Sequence, residues 1–284
     1  MKKMKLTAIL LGAMALTISA SATEPVKLTL DQLKKIQSEQ KILQNPGVAI
    51  TKGYDRVDLG IIQLRTTVSG PRGSSSIPAF LVKGKNIMFT GTAYVDGKPL
   101  KMPAEKVLVT PAVAFSYGTG EKSEMYLFTD PECPACINLE KRAGEKLEKH
   151  KVNVVLFPLV RIHDKATPMT QWVLRGKTDQ DRADRLKKVM NHDTAWYADI
   201  GFNEKTFTAD YQEYKFAMNL SMSKASAADL ERVKEVQKKY FIPGEMQNLK
   251  DYLRKARVAF NEIGAKGTPT LKAADLSDFD YNSL

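Results

Sequence analysis

The chain of 284 residues has little cysteine and little histidine, with two of the first and three of the second. Two cysteines are too few to hold a chain of this length together, so the sequence excludes a disulfide-stapled scaffold. A structural zinc site takes four ligands, mostly cysteine and histidine. The histidines are not spaced as a metal motif: they are His150, His163 and His192. We therefore expect no metal site, and the two cysteines are available for chemistry.

Long apolar runs are also lacking. The run from Leu6 to Ile18 is shorter than the roughly 20 apolar residues that a membrane-spanning helix requires, and no later stretch approaches that length. Lysines precede this run, and Ala20, Ser21 and Ala22 follow it. A basic start, a short apolar core and small residues are typical of a secretory signal peptide. We expect residues 1–22 to be such a peptide, with cleavage after Ala22, and the mature protein to be exported.

Acidic residues are outnumbered, 32 against 43 lysines and arginines, which gives a net charge of +11. Without the signal-peptide lysines at positions 2, 3 and 5, the charge is +8. Basic pairs such as Lys187-Lys188 and Lys238-Lys239 lie on the polar sides of helical patterns, which indicates solvated helix faces. Because no basic tract is interleaved with aromatic residues, we do not expect nucleic acid as a partner. Attraction to anionic lipid or to acidic client proteins is compatible with the charge.

Both cysteines lie in one short motif, Cys133-Pro134-Ala135-Cys136. The apolar residues Met125 to Phe128 predict a buried strand before it, and the pattern after it predicts a helix, so the motif lies at a strand-to-helix turn. A residue that precedes proline is biased to extended geometry, whereas proline fits the first helical position. We therefore expect Cys133 at the N-cap and Pro134 as the first residue of the helix.

The two sulfurs are expected to differ in environment. At a helix N-terminus the unpaired amides and the positive end of the dipole favour a thiolate, which is the nucleophilic form of cysteine. We expect Cys133 to be exposed at that position, although the nearby carboxylates of Asp130 and Glu132 oppose the dipole. Cys136 begins a helical stripe of apolar residues, so we expect it to be covered by the core.

The chain before the motif is predicted to form a small α+β domain over residues 23–100. Its apolar pattern predicts one helix and then strands separated by glycine-containing turns. The predicted elements are a helix at Leu28 to Leu43 and strands at Asp58 to Val68, Ile77 to Val82 and Asn86 to Tyr94. Residues 101–120 mix proline, alanine and glycine with little period and are predicted to be a linker, although apolar residues such as Val109 and Phe115 indicate that it packs against another part of the chain.

Residues 121–284 are predicted to form a second, α/β domain. Strands at Glu124 to Thr129 and Val152 to Phe157 flank the cysteine helix, which indicates a βαβ unit with parallel strands. Helical periodicity dominates residues 164–263, so we expect a large helical insert there. Three helices are predicted within it, at Thr178 to Met190, Ser226 to Phe241 and Gly244 to Ile263. Its aromatic side chains are expected in the core: Trp172, Trp196, Tyr211 and Tyr214.

After the insert, Gly267-Thr268-Pro269-Thr270 leads into a short extended segment. A proline before a strand, far in sequence from a cysteine pair, has the pattern of a cis-proline loop opposite an active site. Combined with the order of strand, Cys-x-x-Cys and helix, this pattern becomes specific. We expect Thr268 and Pro269 to face the cysteines, and residues 270–284 to have room for a hairpin.

These motifs resemble the thioredoxin superfamily, and their arrangement is similar to that of the periplasmic DsbC/DsbG-type thiol:disulfide interchange proteins. The resemblance implies a cystatin-like N-terminal dimerisation domain, a thioredoxin-like catalytic domain with the helical insert, and a V-shaped homodimer in the periplasm. It implies that Cys133 and Cys136 are catalytic and form a redox-active disulfide without another cofactor, with Pro134-Ala135 as the active-site dipeptide. Thr268 before the proline looks like the isomerase branch.

The function expected from this resemblance is reduction or isomerisation of non-native disulfides in misfolded or misoxidised exported proteins. Cys133 would attack the client and Cys136 would resolve the mixed disulfide, with electrons from a DsbD-type membrane reductase. One alternative is a DsbA-like dithiol oxidase, and another is a non-enzymatic periplasmic chaperone or assembly factor. Delivery of copper(I) by the two thiolates is a further alternative. The resting redox state of the pair separates the first of these from the expected function.

Overall fold

The computed structural model describes residues 24–70, 73–221, 225–281 and 284. The predicted signal peptide, residues 1–22, lies outside these ranges. The chain consists of two compact units, one up to Met102 and one from Pro103 onward. None of the helices within the described ranges is both long enough and apolar enough to span a bilayer.

The first unit contains a helix and an antiparallel sheet. Its regular elements are β1 (Val26–Lys27), α1 (Leu30–Glu39), β2 (Val48–Arg56), β3 (Ile61–Gly70), β4 (Gly73–Val82), β5 (Ile87–Thr90), β6 (Tyr94–Val95) and β7 (Lys98–Pro99). Strands β1 to β5 form one sheet in chain order with antiparallel neighbours, and β6 pairs with β7 in a separate ladder. The expected order of a helix and then a meander is confirmed, but the short β1 before the helix and the nine-residue β2 after it are not among the predicted strands.

A capping box begins α1. The Thr29 hydroxyl accepts the Gln32 N–H at 3.3 Å, and the Gln32 side chain accepts the Thr29 N–H at 2.8 Å. Leu33 and Ile36 lie one turn apart on the helix and are buried with Leu64 of β3 in the core of this unit.

The hairpin between β3 and β4 is longer than the sequence indicates. Strand β4 begins at Gly73 rather than at Ile77, because residues 74–76 continue the antiparallel pairing with β3. A serine run has low β-propensity, so its pattern alone does not predict a strand. Pairing with a neighbouring strand decides its conformation instead.

The second unit is built on a four-stranded sheet. Its regular elements are α2 (Lys106–Val109), β8 (Phe115–Tyr117), β9 (Glu124–Thr129), α3 (Pro134–Leu147), β10 (Lys151–Leu156), α4 (Ala166–Leu174), α5 (Asp179–Met190), α6 (Ala195–Ile200), α7 (Phe207–Asn219), α8 (Ala227–Tyr240), α9 (Glu245–Glu262) and β11 (Thr270–Ala273). The strand order is β11-β9-β10-β8. Strands β9 and β10 are parallel, and the other two neighbouring pairs are antiparallel.

The predicted βαβ unit is confirmed by β9, α3 and β10. On the other side of β9, β11 pairs antiparallel with Thr270 opposite Phe128. This register places the residues just before β11 beside the end of β9, which is where the cysteine motif begins. The sheet therefore brings together two segments that are far apart in the sequence.

Residues 103–120, which the sequence predicts as most of a linker, pack within the second unit instead. Val109 and Ala112 are fully buried in a cluster with side chains of β9, β10 and α9. Strand β8 pairs with β10 along Phe115–Tyr117. The linker prediction is wrong for these residues because their apolar side chains complete the core and the sheet of this unit.

The helices between β10 and β11 begin close to the predicted positions. Thr178 and Ser226 are N-caps whose side-chain oxygens accept the N–H three residues on. Gly264, just after α9, has a positive φ of 65°, as is common after a helix C-terminus. The four aromatic side chains expected in the core are buried there: Trp172, Trp196, Tyr211 and Tyr214.

Gly118, directly after β8, has a φ of 90°, and a Cβ on it would lie 2.0 Å from the carbonyl oxygen of His150. Gly120 has a φ of 74°, but there the nearest neighbour of a Cβ would be 3.6 Å away.

We expect Gly118→Ala to lower the free energy of unfolding by about 3 kcal/mol and Gly120→Ala by about 1 kcal/mol, because only the first adds a backbone clash to the left-handed strain. Both tryptophans lie in this unit, so urea titration followed by tryptophan fluorescence measures the effect. Equal losses of unfolding free energy in the two variants would contradict the importance of the close approach between position 118 and the His150 carbonyl.

Candidate active site

The cysteine motif forms the turn between β9 and α3, as predicted. Helix α3 begins at Pro134, and Cys133 is its N-cap with extended backbone at φ −71° and ψ 121°. The Cys133 N–H donates to the carbonyl oxygen of Asp130 at 3.1 Å, and the Cys133 carbonyl accepts the Ile137 N–H at 3.0 Å. These bonds hold Cys133 at the first turn of the helix, where backbone amides have no partner within the helix.

Cys133 is buried, so the prediction of an exposed sulfur is wrong. Only 7% of its surface is exposed, against 2% for Cys136, and both are free thiols. The Cys133 Sγ donates to the carbonyl oxygen of Thr268 at 3.5 Å. Because this partner is 135 positions away, no local pattern reveals the covering. Pro134 and Ala135, the residues between the cysteines, are exposed.

Thr268 and Pro269 lie next to the cysteine motif, as expected, and the peptide bond between them is cis. The Thr270 hydroxyl donates to the Gly267 carbonyl at 2.7 Å and closes this loop. The Thr268 Oγ1 is buried and makes no hydrogen bond to the described part of the chain. The structure thus brings together the four residues predicted to face one another, and their catalytic and binding roles stay predictions.

Cys136 lies in the core, one helical turn behind Cys133. Its Sγ accepts the Asp130 N–H at 3.5 Å. Burial raises the pKa of the Cys136 thiol to about 11, because the thiolate loses more solvation than the thiol. Cys136 is therefore protonated at neutral pH.

Asp130 has a fully buried side chain that accepts three hydrogen bonds. Its Oδ1 accepts the Glu132 N–H at 2.8 Å. Its Oδ2 accepts the Leu159 N–H at 2.7 Å and a hydrogen bond from His163 Nδ1 at 2.8 Å. The carboxylate therefore joins the cysteine turn to the loop that follows β10.

Glu132 joins the same turn to the start of α4. Its Oε2 accepts the Lys165 N–H at 2.6 Å, and burial raises the pKa of its carboxyl group. The sequence did not identify His163 or Lys165 as site residues, because each is 33 positions from its partner and belongs to no motif. The available signal is topological: the loop follows a strand parallel to β9, and the carboxyl ends of parallel strands meet at one edge of a sheet.

The arrangement suits exchange between thiols and disulfides. It offers one sulfur at a helix N-terminus, a second sulfur one turn away, and a backbone carbonyl from a cis-proline loop. A thiolate that attacks a disulfide forms a mixed disulfide, which a neighbouring thiol can resolve. Within the described ranges, histidine, cysteine, aspartate and glutamate side chains nowhere gather in threes as a metal site would need.

The sequence matches no protein-family model and no curated protein. Among solved structures, MdbA, a thiol-disulfide oxidoreductase from Corynebacterium diphtheriae, is similar at 14% identity, over 62% of this chain and 88% of that chain, with a TM-score of 0.39. Alpha-DsbA1 from Wolbachia pipientis is similar at 16% identity, over 59% and 79% of the two chains, with a TM-score of 0.34. DsbG from Helicobacter pylori is similar at 12% identity, over 86% and 99%, with a TM-score of 0.34.

In a Cys133→Ala variant, we expect the rate at which iodoacetamide alkylates Cys136 to rise up to about pH 11, because the thiolate is the reactive form. At pH 8 the folded variant should react about a hundredfold more slowly than the same variant in urea, where the thiol has an ordinary pKa near 8.5. Mass spectrometry of quenched samples measures both rates. A midpoint near pH 7 in the folded variant would contradict the expectation of a protonated thiol.

Proposed function

We propose that this protein carries out thiol–disulfide exchange on exported client proteins through Cys133 and Cys136, and that it reduces or isomerises their non-native disulfides. The observation that carries the proposal is the Cys133 sulfur, which lies at the start of α3 and 3.5 Å from the Thr268 carbonyl beside a cis-proline. A client disulfide brought to this point meets a nucleophile and a backbone hydrogen-bond acceptor for its own chain.

The reaction begins when the Cys133 thiolate attacks one sulfur of the client disulfide. A bond between Cys133 and the client forms as the client S–S bond breaks, and the second client sulfur leaves as a thiolate and takes up a proton. If a client thiol then attacks the mixed disulfide, Cys133 is released and the client disulfide is rearranged without net electron transfer. If Cys136 attacks instead, the products are a Cys133–Cys136 disulfide and a client dithiol, with two electrons passed to the client.

The environments of the two sulfurs support this order of attack. Cys133 is the less buried of the two and lies at the helix N-terminus, next to the Thr268 carbonyl at which a client strand would bind. Cys136 stays protonated because burial raises its pKa, so it acts only when the mixed disulfide places a sulfur beside it. After a reductive turnover the pair must be reduced again, and we propose a membrane reductase of the DsbD type as the donor. The predicted signal peptide supports a periplasmic location, and Thr268 supports the isomerase direction.

We expect Cys133→Ser to abolish recovery of activity from scrambled ribonuclease, because no thiolate remains to attack the client. Cys136→Ser should instead accumulate mixed disulfides, because the resolving thiol is lost. Ribonuclease activity and non-reducing electrophoresis measure the two outcomes.

Full activity of Cys133→Ser would refute the proposal and would favour a chaperone that does not use the cysteines. The resting redox state, measured by trapping the thiols in intact cells, tests the direction. A pair that is reduced at steady state supports the isomerase or reductase, whereas an oxidised pair would favour a DsbA-like oxidase.

We further propose that the first unit, as a cystatin-like domain, forms a homodimer. Strand β5 is the outermost strand of its sheet, and Ile87 and Phe89 on this strand are 52% and 42% exposed. An unpaired strand edge with exposed apolar side chains is a surface that proteins usually cover. A second copy of the chain would cover it.

We expect the mature protein to sediment as a dimer and Ile87→Lys to sediment as a monomer, because a buried lysine at the edge would be unpaired. Ile42→Lys is the matched control, since Ile42 is equally apolar and 57% exposed but lies outside the sheet. Analytical ultracentrifugation measures the masses. A monomeric unsubstituted protein, or a dimer that survives in Ile87→Lys, would contradict pairing along β5.

A further inference from the structure

The second unit contains two adjoining cavities of about 380 Å³ and about 340 Å³. They share Val160, Leu253 and Arg257 in their walls. Together they form a groove between the loop after β10 and helices α7 and α9, which we call the basic groove. The mechanism proposed above makes no use of it.

The basic groove begins at the segments that hold the cysteine turn. Val160, in its wall, directly follows the residue whose N–H donates to Asp130. Thr167, in the opposite wall, lies two residues after Lys165, whose N–H donates to Glu132. Each of the two residues whose backbone N–H donates to the cysteine turn is therefore within two positions of a residue that lines the groove.

Tyr211 lines the basic groove. Burial raises the pKa of its phenol to about 12, with Asp164 and Glu132 adding to the rise. The phenol is therefore neutral at physiological pH and adds no negative charge to the groove.

The larger cavity has a basic lining without a carboxylate among the residues that the structure describes. Its cations are Lys215, Lys250, Arg254 and Arg257. Three of them have contacts: the Lys250 Nζ donates to the Ala217 carbonyl at 2.8 Å, Arg254 pairs with Asp251 at 2.9 Å, and the Lys215 Nζ lies 5.8 Å from the centre of the Tyr211 ring. In the described part of the chain, Lys215 and Arg257 have no carboxylate partner. Their charges are therefore not neutralised, and they can pair with an acidic ligand.

The surfaces between these cations are apolar. Met218, Leu253 and Val160 contribute them. An inorganic anion would gain nothing from such surfaces, whereas a peptide segment with an acidic side chain next to an apolar one would use both. A client held at Cys133 also presents its neighbouring residues to the groove at high effective concentration, so weak ion pairs are sufficient.

We propose that the basic groove binds an acidic segment of the client polypeptide, so that disulfides flanked by aspartate or glutamate next to an apolar residue are preferred substrates. This inference rests on the proposed exchange reaction and adds a substrate class to it. Without the predicted signal peptide the net charge is +8, which is positive like the lining of the groove, so long-range steering would favour the same clients.

The test uses three synthetic peptides with an internal disulfide, whose flanking residues are leucine with glutamate, with glutamine or with lysine. Full-length protein is reduced beforehand, mixed with each peptide, and quenched in acid, and mass spectrometry gives the rate of a single turnover. The glutamate peptide should react about fivefold faster than the glutamine peptide, which corresponds to about one exposed ion pair, and the lysine peptide should be slowest. High salt should reduce these differences.

Two substitutions with the same change of charge locate the effect. Arg257→Glu should lower the ratio of the glutamate rate to the glutamine rate about fivefold. Lys255→Glu should leave this ratio unchanged, because Lys255 is exposed on the same helix but does not line the groove. The ratio is the readout, so a general loss of activity in either variant does not affect the comparison.

The outcomes separate this inference from the function on which it rests. If all three peptides react at equal rates, the preference for acidic clients is wrong and the exchange reaction stands. If both variants change the ratio equally, the preference is not located in the basic groove and the inference is overturned. If no peptide is reduced, the proposed function itself fails.

Discussion

The buried carboxylate of Asp130 is the interaction on which the candidate site depends. It accepts hydrogen bonds from the cysteine turn through the Glu132 N–H, and from the loop after β10 through Leu159 and His163. The N–H of the same residue donates to the Cys136 sulfur. A buried carboxylate is costly unless its oxygens are satisfied, so these segments are held in one arrangement. The cysteine turn, the Cys136 thiol and the loop that contributes Val160 to the basic groove are all hydrogen-bonded to this one residue.

The sequence predicts most of the local structure of the second unit. Proline at the first helical position, hydroxyl N-caps at Thr178 and Ser226, and apolar runs at the two parallel strands act within a few residues, so their signals are local. The first unit is predicted less completely, because the serine run of β4 is extended only by pairing with β3. The segment predicted as a linker shows the same limit: alanines and prolines give no period, and the core that accepts Val109 is assembled from β9, β10 and α9, the last of which is more than a hundred residues away.

The sequence predicts which residues make up the candidate site, but it does not predict how deeply they are buried or which contacts support them. Cys133, Cys136, Thr268 and Pro269 are identified by motif, because each motif has a known geometry. The covering of Cys133 by Thr268 depends on the register between β11 and β9, which is a tertiary property. The contact of His163 with Asp130 likewise depends on the packing of a loop against a strand end, and histidine spacing carries no information about it.

The hydrogen bond from the Cys133 thiol to the Thr268 carbonyl has a consequence for the way a client strand would bind at the proposed site. The carbonyl that accepts the thiol proton is the same one that the proposed complex offers to a backbone N–H of the client. The two donors compete for one oxygen, so an N–H of an arriving strand has to replace the Cys133 thiol at this acceptor. The exchange keeps the carbonyl hydrogen-bonded and releases the sulfur from its contact with the loop. In the proposed complex, binding of the client strand and release of the Cys133 sulfur would therefore be one event.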